Sequence, residues 1–143
     1  MKKIDAFWDS SALVPLCVDQ GTTALARTAL RSRTITVWWG TPVEIKGAFC
    51  RLSRSGNITR ENFVAALSRL ALLEDNWVEV LPSPRVRALA EIMLERRALR
   101  AADALQLAAA VVWSADQHGR PFICFDDLLA DAARREGFLV ETP

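Results

Sequence analysis

Several kinds of residue are scarce in this sequence of 143 residues, and each scarcity excludes a class of protein. His118 is the only histidine, so we expect neither a histidine metal centre nor a Ser-His or Cys-His catalytic pair. The longest uncharged apolar run, from Leu107 to Ala115, is far shorter than the ~20 residues that span a bilayer. The first residues lack the small-residue cleavage site of a signal peptide. We therefore expect a cytoplasmic protein without a membrane segment, and we expect His118 on its surface.

Cysteine is also sparse, and its three residues are Cys17, Cys50 and Cys124. Their number is odd, they lie far apart, and each has apolar neighbours. A zinc site needs closely spaced ligands, and a disulfide framework normally uses an even number of cysteines. The pattern predicts three buried free thiols in a reducing compartment.

Lysine is scarce as well, since three of the eighteen cationic side chains are lysine and fifteen are arginine. The planar guanidinium group matches the geometry of phosphate, so an arginine-rich chain suits an RNA-binding protein. A GC-rich coding sequence would produce the same bias and is the simpler explanation. Because the net charge is only +1, charge alone does not identify the partner.

Apolar residues are abundant, at 51% against 24% charged, and indicate one compact domain over residues 1–143. Short apolar stretches alternate with longer stretches of helical period. The predicted strands are 4–8, 34–38, 77–81, 122–125 and 138–140. Two of the predicted helices begin at residues 10 and 59. The other five span residues 22–31, 41–55, 85–97, 101–115 and 126–136. This alternation predicts a three-layer α/β/α sandwich around a central parallel sheet of four to five strands.

Four acidic residues occupy corresponding places beside the predicted strands. Asp9 and Asp126 each end a strand, and Glu44 lies in the first helical turn after the second strand. Asp103 lies at the start of the most apolar helix. Parallel α/β sheets bind ligands beyond the carboxyl ends of their strands, where the next helices begin. We therefore expect the four carboxylates to share one pocket.

Each of these acids could instead cap a helix, because such a cap contributes ~0.5–2 kcal/mol. Asp126 fits an ordinary N-cap, and Glu44 fits a capping box with Thr41. Ser10 and Ser11 are expected to cap the first helix.

Two features favour a cation site. Asp103 has apolar neighbours that predict burial, and an unpaired buried carboxylate is costly. Either Arg100 or a bound cation could satisfy it. Two carboxylates about 4 Å apart repel by roughly 4 kcal/mol at an effective dielectric constant of ~20, so a pocket of four needs protons or a divalent cation. Oxygen ligands favour Mg²⁺ or Mn²⁺.

Four short motifs follow one another along nearly the whole chain. They are residues 9–13 (DSSAL), Glu44, residues 102–108 (ADALQLA), and residues 125–126 followed by 132–137. This ordered set resembles the PIN-domain ribonucleases, and within them the VapC toxins of toxin–antitoxin pairs. The resemblance implies a PIN-like fold and a hydrolase that cleaves RNA phosphodiester bonds with bound Mg²⁺ or Mn²⁺.

The resemblance also implies a role for each acid. Asp9 and Asp103 are expected to be the principal metal ligands, while Glu44 and Asp126 complete the site directly or through water. All four are expected to be catalytic. Many relatives have Thr or Ser where this chain has Cys124, so a hydroxyl contact is not carried over to that position. The implied partners are RNA, a second copy of the chain in a homodimer, and a VapB-like antitoxin whose tail blocks the pocket.

Asp127 is an additional acid beside the last motif, and we expect it to be solvated or to support Asp126, for which it could also substitute. Trp39 follows the second strand and is a candidate for stacking on an RNA base. The helix that begins at 59 and the helix 85–97 offer apolar surface, and we expect one of them to pack against a second protein chain.

Other functions fit less well. A receiver domain needs an aspartate after the middle strand and a lysine after the last strand, and the sequence has neither. A dinucleotide-binding module needs a glycine-rich first turn, which residues 9–11 do not form. A catalytically silent PIN-like module that binds RNA or protein remains the alternative, because it could retain all four acids.

Overall fold

The computed structural model describes residues 2–142. Its five strands are β1 (Ile4–Trp8), β2 (Arg33–Trp38), β3 (Val78–Val80), β4 (Pro121–Ile123) and β5 (Leu139–Glu141). Its helices are α1 (Ser10–Cys17), α2 (Thr23–Ser32), α3 (Thr41–Arg54), α4 (Arg60–Glu74), α5 (Pro84–Arg96), α6 (Ala101–Ser114) and α7 (Asp127–Arg135). Within residues 2–142, none of the helices has both the length and the apolar character that a bilayer crossing demands.

The strands form one parallel sheet in the order β3-β2-β1-β4-β5, which confirms the predicted α/β architecture. Strand β1 lies at the centre, with Phe7 paired to Thr36 of β2 and Trp8 paired to Ile123 of β4. The chain extends the sheet on one side of β1 through β2 and β3, then on the other side through β4 and β5. The direction of winding therefore changes beside β1, where sheets of this type form a crevice for ligands.

Alternate residues of β1 point to opposite faces of the sheet and enter two separate cores. Phe7 packs with α5, α6 and α7 on one face, while Ala6 and Trp8 pack with α1, α3 and α4 on the other. Both aromatic side chains are fully buried, and each contributes roughly 1.5–3 kcal/mol by leaving water. These two cores produce the predicted three layers.

Strand β4 is shorter than predicted, because it ends at Ile123 rather than at Phe125. The backbone N–H of Phe125 donates to the hydroxyl of Ser11 at 2.9 Å instead of continuing the strand ladder. The prediction that Ser10 and Ser11 cap α1 is wrong, since Asp9 is the N-cap and accepts from the N–H of Ser11.

The predicted capping box of α3 is also wrong. Gly40 is the N-cap, and Thr41 lies inside the helix with its hydroxyl accepting from Gln106. All three cysteines are free, as expected, but Cys50 is only half-buried.

Candidate active site

The four predicted acids line a single cavity of about 540 Å³ at the carboxyl edge of the sheet. The acids are Asp9, Glu44, Asp103 and Asp126. They come from four different segments: the β1–α1 junction, the first turn of α3, the first turn of α6 and the β4–α7 junction. The parallel topology brings these segments to one edge, as expected from the sequence.

Asp9 is the most deeply placed of the four acids, with only 3% of its surface exposed. Its Oδ2 atom accepts a hydrogen bond from the backbone N–H of Ser11 at 3.1 Å, so it caps α1 and lines the cavity at once. Burial raises the pKa of Asp9, and the hydrogen bonds from Ser11 oppose that increase. Its carboxylate is thus held in place without a cationic partner among residues 2–142.

Asp126 is the N-cap of α7, with its Oδ1 atom accepting from the N–H of Leu129 at 3.0 Å. The cap interpretation and the pocket interpretation therefore both hold for this residue. Its neighbour Asp127 is exposed and lies outside the cavity, which agrees with a solvated side chain.

The two loops that carry Asp9 and Asp126 are joined below the cavity. The hydroxyl of Ser11 accepts from the N–H of Phe125, and the thiol of Cys124 lies 3.8 Å from both the Ser11 hydroxyl and Asp9 Oδ2. Burial raises the pKa of Cys124, and the charge of Asp9 raises it further. The thiol therefore stays neutral and belongs to the packing beneath the acids.

Gln106 is a residue of the site to which the sequence analysis assigned no role. It is completely buried in α6, and its amide nitrogen donates to Thr41 Oγ1 at 3.0 Å and to the carboxylate of Glu44. Its Oε1 atom is buried without a partner in the described part of the chain. The available signal was a single amide in the otherwise apolar stretch 104–113 of α6, since a buried amide must find partners on a neighbouring element.

Glu44 is half-buried, and Gln106 fixes the orientation of its carboxylate. The pKa of Glu44 is raised to about 7, mainly by burial. The hydrogen bond from Gln106 opposes this increase, and the negative charges of Asp9 and Asp103 contribute to it.

Asp103 is half-buried, so the burial that its apolar neighbours predict is only partial. It lies in the first turn of α6, where one side of the helix borders the cavity rather than the core. Its pKa is raised to about 6, mainly by burial and also by the charges of Asp9 and Asp126, while the charge of Arg100 opposes the increase. Within residues 2–142 no salt bridge joins Arg100 to Asp103.

Comparison with known proteins identifies the fold. No protein-family profile and no curated protein sequence matches the chain, but solved structures do. The VapC20 toxin of Mycobacterium tuberculosis, described as cleaving the sarcin-ricin loop, is 18% identical with a TM-score of 0.65, over 89% of this chain and 94% of that one. VapBC2 of Rickettsia felis, solved with a DNA fragment from its promoter, is 10% identical with a TM-score of 0.66, over 98% and 99%. A toxin–antitoxin complex of Klebsiella pneumoniae is 17% identical with a TM-score of 0.61, over 94% and 95%. The chain has the VapC-type PIN fold. Because the sequence identities are this low, these comparisons establish a shared fold and nothing further.

The carboxylates of this PIN fold offer only oxygen donors, which suit hard divalent cations such as Mg²⁺ and Mn²⁺. No three Asp, Glu, His or Cys side chains within residues 2–142 are grouped closely enough to hold a metal ion together. Mg²⁺ in proteins commonly uses one or two carboxylates and keeps several waters, so it does not require three converging side chains. The donor set therefore fits such an ion.

Two other residues singled out in the sequence lie outside this cavity. Trp39 follows β2 and is 54% exposed, so its indole is accessible at the same edge of the PIN fold. His118 is exposed, as expected.

Proposed function

We propose that this chain is a metal-dependent ribonuclease that hydrolyses RNA phosphodiester bonds, and that it is the toxin of a toxin–antitoxin pair. The observation that carries the proposal is the set of four carboxylates on one cavity at the carboxyl edge of a VapC-type PIN fold. Three of them have raised pKa values, chiefly because they are buried and in addition because they lie near one another's negative charges, and a bound cation would relieve both effects. A structural neighbour described as a toxin that cleaves the sarcin-ricin loop supports the choice of substrate.

Asp9 and Asp103 would hold Mg²⁺ or Mn²⁺, with Glu44 and Asp126 completing the site. The bound ion would supply Lewis-acid polarisation of the phosphate and lower the pKa of a water molecule toward neutrality. The chain itself orients the carboxylates. Gln106 fixes Glu44, while the caps of α1 and α7 fix Asp9 and Asp126.

A VapB-like antitoxin is the proposed partner, because structural neighbours include a toxin–antitoxin complex. The metal-free cavity is anionic, so a cationic side chain of the antitoxin tail, most simply an arginine, would satisfy the carboxylates in place of the ion. Adding the antitoxin should suppress cleavage, and excess Mg²⁺ or Mn²⁺ should partly restore it. An antitoxin that binds only the opposite edge of the sheet would contradict this mode of inhibition.

The test of the nuclease is RNA cleavage by the purified protein with Mg²⁺, with Mn²⁺ and with a chelator. Asp126→Asn should abolish most cleavage, because asparagine still caps α7 but does not carry the negative charge. Asp127→Asn is the matched control, since it removes the same charge from the adjacent exposed residue and should retain cleavage. Asp9→Asn, Glu44→Gln and Asp103→Asn should behave like Asp126→Asn.

Metal binding can be measured without RNA. Mn²⁺ should raise the melting temperature of the parent and of Asp127→Asn, because the folded state alone assembles the ligands. Asp9→Asn and Asp103→Asn should lose this gain. Metal binding without cleavage of any RNA would support the silent binding module instead, and full activity of Asp103→Asn would contradict the nuclease mechanism.

A further inference from the structure

Two further cavities adjoin the acidic cavity, and we interpret the three as one groove. On the side of α1 and α3 lies a cavity of about 350 Å³, which shares Arg51 and three other lining residues with the acidic cavity. On the side of α6 and α7 lies a cavity of about 360 Å³, which shares Arg100, Asp103 and Asp126 with it. The groove therefore has the carboxylates at its centre and one arginine at each junction.

The position of Arg51 is set by helix α3. It lies seven residues after Glu44, so the two side chains share one face of the helix. One guanidinium nitrogen lies 3.5 Å from the position that a Cβ atom of Gly47 would occupy, one turn closer to Glu44. The side chain thus extends back along α3 toward the acids. Within residues 2–142 its guanidinium forms no salt bridge.

Arg100 is placed by the start of α6, for which it is the N-cap residue. It is exposed, it borders both the central and the second outer cavity, and it too has no salt bridge in the described part of the chain. Arg33, Arg96 and Arg97, in contrast, are paired with glutamates. The two groove arginines therefore keep their guanidinium donors available to a ligand.

We propose that this groove binds an unpaired segment of RNA, and that Arg51 and Arg100 each hold a phosphate on opposite sides of the scissile phosphate. The proposal rests on the ribonuclease function proposed above and specifies how its substrate lies. A guanidinium group binds phosphate through parallel charge-assisted hydrogen bonds. Sites for single-stranded nucleic acid commonly combine a groove along the backbone with such cations. Arginines on both sides of the acids also offset the repulsion between the central carboxylates and the rest of the strand.

The first test measures binding of a fluorescent single-stranded RNA that the parent cleaves, using the inactive Glu44→Gln background in Mg²⁺. Arg51→Gln and Arg100→Gln should each weaken binding by about tenfold. Each should also reduce the magnitude of the slope of log K against log salt concentration by about 0.7, the value expected for one lost phosphate contact on a single strand. Arg54→Gln and Arg85→Gln are the controls, since they remove the same charge outside the groove and should change neither quantity.

The second test assigns the two phosphates. An uncharged methylphosphonate in place of the phosphate on one side of the cleavage site should weaken RNA binding by the Glu44→Gln protein. If Arg51 holds that phosphate, the same replacement should cause no further loss of RNA affinity in the protein that also carries Arg51→Gln. The same replacement on the other side should behave in this way with Arg100→Gln. Suppose that the parent cleaves the RNA and that Arg51→Gln and Arg100→Gln bind it with the same affinity and salt dependence as the control variants. This result would overturn the inference about the groove and leave the proposed ribonuclease function standing. A parent that neither binds nor cleaves RNA would overturn the proposed function as well. Variants that bind RNA normally but lose binding of the antitoxin would identify the groove as a protein site and overturn the inference.

Discussion

Glu44 and Asp103 show how the cavity changes single carboxyl groups. Their pKa values are about 7 and about 6 in the folded protein, because they are partly buried beside other carboxylates. The corresponding pKa values in an unfolded chain are about 4.3 and 3.9. At a pH between the unfolded and the folded value of each group, the folded protein therefore binds more protons than the unfolded chain. Neither group destabilises the metal-free fold below about pH 4, and the free energy of unfolding falls as the pH rises to about 7.

Asp103→Asn should therefore raise the melting temperature of the metal-free protein by ~3 °C at about pH 8 and change it little at about pH 4. This figure corresponds to ~1 kcal/mol, which allows for solvent screening of a half-exposed group. Calorimetry in the presence of a chelator would measure both values. Asp127→Asn is the control and should change neither. An equal shift at both pH values would contradict the electrostatic explanation.

Gln106 acts on the site through another residue, since its amide orients Glu44 and contacts Thr41. Gln106→Leu removes these hydrogen bonds together with the unpartnered Oε1 atom, so the loss of stability should be small. RNA cleavage and Mn²⁺ affinity should each fall about 10–100-fold, the usual effect of losing a residue that supports a ligand. Gln117→Leu, on the exposed loop after α6, should leave both unchanged. Unchanged Mn²⁺ affinity in Gln106→Leu would show that Glu44 needs no such support.

Among the structural elements, the hydrogen bond between Ser11 and Phe125 links the β1–α1 and β4–α7 junctions. Ser11→Ala leaves the N–H of Phe125 without this partner and should lower the free energy of unfolding by about 1–2 kcal/mol. Urea denaturation would measure the change. Ser10→Ala is the adjacent control, because the Ser10 side chain makes no hydrogen bond within the described residues, and it should be nearly neutral. A Ser11→Ala protein as stable as the parent would show that water replaces the hydroxyl.

The order and type of the elements could be predicted from the sequence because each depends on local patterns. The apolar run at residues 6–8 predicts β1, and the starts of α4 and α5 agree with helix caps at Thr59 and Ser83. The end of β4 could not be predicted in this way, since it depends on the hydroxyl of Ser11, more than a hundred residues away in the sequence. The prediction of a capping box in α3 was wrong for the same reason, because the hydroxyl of Thr41 accepts a hydrogen bond from Gln106, which is also distant in the sequence.

At the scale of the whole molecule, the sequence predicts that α4 or α5 packs against a second protein chain, and we propose that this second chain is the other copy in the expected homodimer. Phe63 and Leu70 of α4 pack into the protein's own core, which leaves Val64 exposed, and Ile92 is exposed on α5. One of the two substitutions Val64→Glu and Ile92→Glu should convert the dimer to a monomer, because a charge in an apolar interface is costly. Light scattering at micromolar concentration would measure the mass. Two dimeric variants, or a monomeric parent, would contradict the expected interface.

The four acids and the parallel α/β fold follow from the sequence, because each acid adjoins the end of a strand or the start of a helix and parallel strands share an edge. Local patterns do not contain the distances between segments far apart in the chain. The strand order β3-β2-β1-β4-β5 and the packing of α6 bring Gln106 to Glu44 and leave one side of Asp103 open to the cavity. The same packing places Arg51 and Arg100 at the two junctions of the groove. These features depend on tertiary contacts between α3, α6 and the sheet, so the periodicity of a single element could not have predicted them.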